Sequence, residues 1–449
     1  MGLTYGRTPG VQVETIGQSV SGIELAETQT IVLVGTADVD ASSEVTANEP
    51  FTVTDRTDVN LVGQNSRLGR GISQAFDNGA SPGSLFAVYP AFEEVSNITL
   101  GTDGNITDDV SDPGINSDPL PIYESQSMVT AEAGGGTTLD VEFVYNTPGD
   151  GSTLPTPTTS DTLVLNPFTG DYAHSASNVS LTYQTATWDT AIQRGGNEIA
   201  ESTVGDIVAL HTSEVVADEV AGEISGLRQD SYKLARGHAG AQPNAMGRSG
   251  EPEIDAGSYT DSVATTGMFL YGNVRSAGHM GTILGAIAGG LAQTTFEDAL
   301  QGTTLTNVET TQTLAFNERN QLREKRVIPI QSSGDIEIDG NIATIDDASF
   351  TADLFTRRLL DQIILTSREV GQVALDSVGN SSTLTIVEQE VLAGLEQFVR
   401  QGLLQDPDEI DDAILDVTAQ NPTPTEVTVD VAVTPNGVTD SVLFNVFLN

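Results

Sequence analysis

The chain has 449 residues, 63 acidic and 18 basic, for a formal net charge of −45. That balance excludes nucleic-acid binding through phosphates, which needs basic patches, and the absence of cysteine excludes disulfides and thiolate metal sites. A hydrophobic fraction of 38% is lean but sufficient for real cores, and the length suits about two to four domains.

Residues 1 to about 25 read as an extended arm of small and polar residues, within which Pro9-Gly10-Val11-Gln12-Val13-Glu14-Thr15-Ile16 alternates as a short strand. Thr30 to Ala37 has the composition of a buried strand. Leu68, Ile72, Ala75 and Phe76 fall at helical spacing, and Asn78-Gly79 supplies a positive-φ stop. Leu85 to Tyr89 is then a second buried strand. From Gly71 to Gln193 there is no lysine or arginine, and the stretch is rich in Gly, Pro, Ser, Thr and Asp. Val141 to Tyr145, Thr162 to Leu165 and Val179 to Tyr183 read as short strands between turns, so 91–193 is expected to be an inserted, solvent-facing all-β domain. Residues 103–121, where Gly, Asp and Pro cluster, also fit a long disordered loop.

From about 195 the elements alternate again: a strand at Asp206 to His211, a polar helix to Leu227, a polar Gly-rich loop at 237–262, a strand at Gly267 to Tyr271 and a small-residue helix around Ile283 to Ala292. This β–α–β alternation favours an α/β layer. Farther on, Ile336-Glu337-Ile338-Asp339-Gly340-Asn341-Ile342 reads as a hairpin with Asp-Gly in its turn. A long helix follows, with Leu354, Phe355, Leu359, Ile363, Val370 and Val373 near one face. A second helix carries Val387, Val391, Leu395 and Phe398. Then come the acidic segment Asp406 to Asp416 and two closing strands, Val427 to Val433 and Val442 to Leu448. The expected fold class is mixed α/β and α+β, multidomain, with an α/β core at 26–90 and 194–330, a C-terminal α+β domain at 331–449 and a terminal strand arm at 438–449. Strands at chain ends carry unpaired edges that most proteins blunt. Such a strand either pairs inside its own domain or adds to the sheet of a neighbour.

Catalytic constellations are lacking in the sequence: no Gly-x-Ser-x-Gly elbow, no phosphate loop ending in Gly-Lys-Ser/Thr, no His-Glu-x-x-His. His174, His211, His238 and His279 are far apart, and the Gly-His-x-Gly contexts of His238 and His279 suggest tight loops. Asp103, Asn105, Thr107, Asp108 and Asp109 offer hard oxygen ligands without the helix-loop-helix calcium spacing, and a solvated loop is the simpler reading. No cofactor or metal is expected, and no enzyme. Cations gather at Arg56, Arg67 and Arg70, at Arg228, Lys233 and Arg236, and at Arg319, Arg323, Lys325 and Arg326, with Arg357 and Arg358 beyond. Each group can pair inside the chain or with an acidic surface of a neighbouring subunit, which would set register. So many carboxylates repel one another in dilute buffer, whereas at molar salt the Debye length is only about 3 Å. With only two lysines among 18 cations, adaptation to high salt and a halophilic archaeal source are expected. A charged-then-apolar leader is missing at the N-terminus, and the most apolar run, Thr282 to Ala292, is too short for a bilayer, which needs about 20 residues. A soluble, cytoplasmically made protein is the expectation.

Several ordered stretches carry a resemblance. The run Pro9 to Glu14 followed by Thr30 to Ala37; Leu61-Val62-Gly63 with Leu68 to Asn78-Gly79 and Leu85-Phe86-Ala87-Val88; Gly285 to Ala292 followed by Leu314 to Ile330; and Phe355 to Asp361 followed by a Leu-rich helix, a Gly-Leu-Leu turn and two strands together resemble contractile tail sheath proteins. They cover about half the chain, and 91–193 matches nothing in that pattern. The resemblance implies a structural subunit that polymerises as a helical stack of hexameric rings around a tail tube, between baseplate and tail terminator proteins. It implies contraction that drives the tube through a host envelope, with assembly in the host cytoplasm and a place in the virion tail. It also implies that Val11, Val13 and Thr15 at one end, and Val442, Phe444, Val446 and Leu448 at the other, exchange as strands between subunits. The acceptor would be Val427, Val429, Val431 and Val433. The C-terminal domain would lie against the tube and 91–193 would face outward. No contact with nucleic acid and no membrane insertion are implied. The alternative from another class is a halophilic surface or secreted β-rich binding protein, an adhesin or layer protein.

Overall fold

A computed structural model describes residues 30–37, 44–64, 66–106, 122, 128–144, 157, 159–166, 171–202, 204–229, 233–241, 267–272, 275–276, 279–280, 283–294, 300–308, 313–332, 335–340, 343–344, 354–375, 381–404, 414–423, 426–433 and 442–448. The chain divides into two compact units, one of Thr28–Thr294 with Ala299–Asp346 and one of Met1–Glu27, Thr295–Asp298 and Asp347–Asn449.

In the larger unit, β1 (Thr30–Val34) is wholly apolar after Thr30, as burial on both faces demands. After β2 (Phe51–Val53), the helix α1 (Arg67–Asp77) starts at Ser66, whose hydroxyl accepts the Gly69 N–H at 2.9 Å. It buries Leu68, Ile72 and Ala75 at helical spacing and stops at Asn78, where Gly79 takes φ +110°. The strand β3 (Leu85–Val88) then pairs parallel to β1.

Seven strands follow: β4 (Phe92–Leu100), β5 (Asp103–Asn105), β6 (Val129–Ala133), β7 (Thr137–Phe143), β8 (Thr162–Leu165), β9 (Asp171–His174) and β10 (Val179–Ala186). They pair in the order β4-β10-β6-β7-β8-β9-β5. The two ends of that order, β4 and β5, are consecutive in the chain, separated only by Gly101 and Thr102, so the chain turns a corner from one end of the order to the other. The Gly101 N–H donates to the Tyr172 hydroxyl at 2.8 Å and fixes the corner. Along its strands buried positions alternate with more exposed ones, and Val95, Ile98, Val129, Leu139, Leu163, Leu165, Val179, Leu181 and Tyr183 form its core.

The chain returns through α2 (Trp188–Ser202), a helix that the sequence reading leaves unassigned, and β11 (Val204–Ala209), α3 (Glu214–Gln229), β12 (Leu234–Gly240) and β13 (Met268–Gly272). The short strands β14 (Arg275–Ser276) and β15 (His279–Met280) pair with each other. Then come α4 (Ile283–Gln293), β16 (Thr304–Leu305), α5 (Phe316–Glu324), β17 (Val327–Ser332) and β18 (Ile336–Ile338). The described strands form a nine-stranded sheet, β16-β18-β17-β13-β12-β11-β1-β3-β2, parallel from β17 to β3 with antiparallel strands at both edges. One face packs on α2 and α3 through Val32, Ile207, Ala209, Ile192, Ile199, Val220 and Ile224. Across the other, α1 and α4 cross at small residues. A Cβ at Gly285 would meet the Gly71 carbonyl oxygen at 2.3 Å, and one at Gly289 would meet that of Ala75 at 2.2 Å. The small-residue run of α4 is therefore a close helix crossing.

Two local expectations meet the structure. Of the residues read as a hairpin at 336–342, Ile336–Ile338 form β18, which pairs with β17 (Ile330 opposite Ile338) and with β16, and Asn341 and Ile342 lie outside the described residues. Beyond β18, the Asp339 N–H donates to the Pro329 carbonyl at 2.8 Å and its carboxylate pairs with Arg319 and Arg323. His238, expected in a tight loop, sits within β12, where flanking glycines allow close packing in a buried sheet.

The smaller unit packs α6 (Leu354–Leu375) and α7 (Ser381–Arg400) against an antiparallel sheet of β19 (Ile414–Thr423), β20 (Glu426–Val433) and β21 (Val442–Leu448). Leu359, Ile363, Val387, Val391, Leu395 and Phe398 meet Val429, Val431 and Val433 in its core. Gly402, at φ +75°, ends α7, with the Leu403 N–H donating to the Phe398 carbonyl at 3.0 Å. The strand β19 was not expected; its first residues fall at the end of the acidic segment. The mixed α/β multidomain fold class is as expected from the sequence.

Candidate strand-exchange sheet and its charged surroundings

The segments singled out as acceptor and donor meet in one sheet. β21 runs antiparallel to β20 over its whole length, with Val427 opposite Leu448, Val429 opposite Val446, Val431 opposite Phe444 and Val433 opposite Val442. Val429, Val431 and Val433 are fully buried against the helices, so the register of β20 is fixed by its apolar face. β20 is central. Its other partner, β19, breaks register between Ile414 and Asp416 and again between Gln420 and Thr423, and it contains Pro422. The β21 side, by contrast, is an unbroken ladder of seven pairs. Thus β19 is blunted as natural edges are, and the regular ladder lies on the side of the C-terminal strand. Val11, Val13 and Thr15 lie outside the described residues.

The charged residues picked from sequence have partners within the chain. Arg319 Nη1 donates to Asp339 Oδ2 at 2.8 Å and to Gln331, and Arg323 pairs with the same carboxylate and donates through Nε to the Asp339 carbonyl at 3.2 Å. One carboxylate thus sits between two guanidiniums. Arg319 also lies over the ring of Phe316, 5.7 Å from its centroid, and Phe316 is 67% exposed. Lys325 caps α5, and Arg326, at φ +59°, makes the turn into β17 and donates to the Thr344 carbonyl at 3.3 Å. Arg357 is buried and donates through Nε to Asp361 Oδ1 at 2.9 Å, one helical turn on; Arg358 is buried beside it.

A second charged group, missed by the sequence reading, lies inside the nine-stranded sheet. Arg236 donates to Asp206 through Nε and Nη2 at 2.8 and 2.9 Å. His238 Nε2 lies 2.8 Å from Asp206 Oδ1, and its Nδ1 lies 3.0 Å from the Tyr271 hydroxyl. Asp206 faces Arg236 in the β11–β12 register, and Tyr271 lies two residues beyond the partner of His238 on β13, so one sheet face carries all four. Burial alone would raise the Asp206 carboxyl, but Arg236 and His238 hold it well below the ordinary carboxylate range. The signal was available: Asp206 interrupts an apolar strand, and Arg236 and His238 are spaced by two.

Asp103 and Asn105 form β5 and pair with β9; Thr107, Asp108 and Asp109 lie outside the described residues. Among the described residues no three His, Asp or Glu side chains converge as a metal site, and no helix is long and apolar enough to cross a membrane.

No family model matches the chain, and no curated protein matches it in sequence. Solved structures share its fold. The sheath tail protein from Desulfitobacterium hafniense superposes with a TM-score of 0.56 at 10% identity, over 98% of this chain and 100% of that one. The sheath tail protein from Listeria innocua gives 0.56 at 11%, over 94% and 95%. A chain from the contracted helical sheath of the anti-feeding prophage gives 0.54 at 12%, over 98% and 99%.

Proposed function

We propose that this chain is the sheath subunit of a contractile tail from a halophilic archaeal virus. In this reading it polymerises as stacked hexameric rings around a tail tube, between baseplate and terminator proteins, and contracts to drive the tube through the host envelope for genome delivery. No bond-making chemistry is involved. The free energy comes from new interfaces that form between subunits in the contracted lattice, a packing switch between two states. A fold shared end to end with sheath proteins is the observation that carries this reading, and the β20–β21 ladder, formed here within one chain, is the sheet that strand exchange would use.

That ladder forms equally well with the donor strand of the same chain or of a neighbour, because backbone hydrogen bonds do not distinguish copies. Residues 434–441, between the two strands, can span at most about 29 Å when extended. Exchange of β21 onto the β20 of a neighbour, with residues 11–15 adding from another, would keep subunits tied while they rotate. The unit around β20 would lie next to the tube, and the seven-stranded sheet of β4 to β10 would point outward. Arg319, Arg323, Lys325, Arg326, Arg357 and Arg358 would contribute to subunit interfaces only where a neighbour adds to their internal partners. The test is deletion of residues 1–16 or 442–449. Each should leave a folded subunit that no longer forms long sheaths, and long sheaths from either deletion would end the strand-exchange proposal.

A further inference from the structure

The nine-stranded sheet is wound in two directions from β1. The chain leaves β1 for β3 through α1 on one face, and leaves the adjacent β11 through α3 on the other. The gap between the carboxyl ends of β1 and β11 is thus a topological switch point, the place where open α/β sheets hold ligands. Three helices begin there, α1 at Arg67, α2 at Trp188 and α3 at Glu214, and each presents its positive dipole end. Arg67 Nη1 donates to the Leu210 carbonyl at 3.0 Å. His211 follows; its Nδ1 accepts the Ser213 N–H at 3.0 Å, and its ring lies 5.0 Å from that of Trp188. Arg67, Trp188, His211 and Thr212 are each at most 4% exposed. Burial, with the Arg67 charge beside it, holds His211 well below the ordinary imidazole value, so it is neutral. The acidic residues of the helix starts lie outward, Asp189 exposed and Glu214 half-buried.

Two polar atoms flanking His211 have no hydrogen-bond partner among the described residues: Trp188 Nε1 and Thr212 Oγ1. Buried polar atoms are nearly always paired. An indole N–H can only donate, so Trp188 requires an acceptor. We propose that this switch point binds a small inorganic anion of the halide class, held by the Trp188 indole N–H, the Thr212 hydroxyl and the charge of Arg67. The anion joins the starts of three helices and makes the stability of the core depend on which salt is present as well as on how much.

Trp188 is the only tryptophan, so its fluorescence reports on this site alone. The full chain is titrated with sodium bromide against sodium gluconate at fixed ionic strength. The expected response is hyperbolic and saturating, and Thr212→Val weakens the apparent affinity about tenfold, the loss of one ordinary hydrogen bond. Thr212→Ser, which keeps the hydroxyl, retains the original curve. A response linear in bromide, or an unchanged curve in Thr212→Val, overturns the proposal and leaves only collisional quenching. Should Thr212→Val not fold, bromide anomalous diffraction from the unmodified chain decides. A peak within hydrogen-bond reach of Trp188 Nε1 supports the site, and a peak-free or water-filled switch point overturns it.

Discussion

Asp206→Asn should be among the most damaging isosteric substitutions in the larger unit. It keeps the shape of the side chain but removes the charge that Arg236 meets through two hydrogen bonds, and it sets an amide N–H₂ against one of the guanidinium donors. Arg236 is 2% exposed, so water cannot take over. Breaking a buried pair from one side costs about 3–5 kcal/mol, a large part of the roughly 5–15 kcal/mol that holds a domain together. At about 2–4 °C per kcal/mol for a unit of this size, melting should fall by roughly 10 °C. Urea unfolding followed by Trp188 fluorescence at constant high salt measures the loss, since urea leaves ionic strength unchanged. Replacing Asp206, Arg236 and His238 together by Leu, Met and Phe removes both charges and should cost far less than the single change. The folded pKa of Asp206 lies below its unfolded value, about 3.9. Its contribution is therefore complete above about pH 4 and is lost as the pH falls through the folded value; the Asn variant lacks that acid-side loss. A loss under about 1 kcal/mol for Asp206→Asn would refute the reasoning, because it would mean that the pair behaves as if it were exposed.

Glu223 is the opposite case: burial pushes its carboxyl up to about 7, and its Oε1 lies where a Cβ on Gly196 would be, 2.0 Å away. Its folded pKa exceeds the unfolded one, so stability should fall as the pH rises from about 4.3 through about 7. Glu223→Gln should raise the melting temperature at pH 8 and leave it unchanged at pH 4, read by thermal melts across pH. Gly289→Ala drives a methyl into the Ala75 carbonyl and should cost about 1–3 kcal/mol, measured by urea unfolding. Asn78→Asp should cost about 2–3 kcal/mol by the same assay, because Nδ2 donates to the Gln74 and Thr306 carbonyls at 2.8 and 3.0 Å and a carboxylate would face both.

The periodic elements were legible because burial writes itself into spacing. Leu68, Ile72 and Ala75 announce α1, and the alternation of Val427 to Val433 announces β20. Asn78-Gly79 was legible as a stop but not as a clamp, since Thr306 lies more than 200 residues away in the chain. The same distance problem hid the Asp206–Arg236–His238–Tyr271 network, which exists only once three parallel strands are aligned. β19 escaped because its two register breaks and Pro422 erase the period-two signal. The corner at Gly101-Thr102 was not legible either, because its meaning appears only when β4 and β5 are seen at opposite ends of one strand order. For the proposed strand exchange, the sequence indicated the two strands β20 and β21, which the structure pairs within one chain; exchange between copies is a property of an assembly.

Electron microscopy of the purified full chain in about 3 M salt, where the Debye length is under about 3 Å, tests the central claim most directly. The account predicts hollow tubes of uniform width with helical striations, which disappear when residues 442–449 are removed. Monomers at every protein concentration, with and without preformed tail tubes as template, would contradict it.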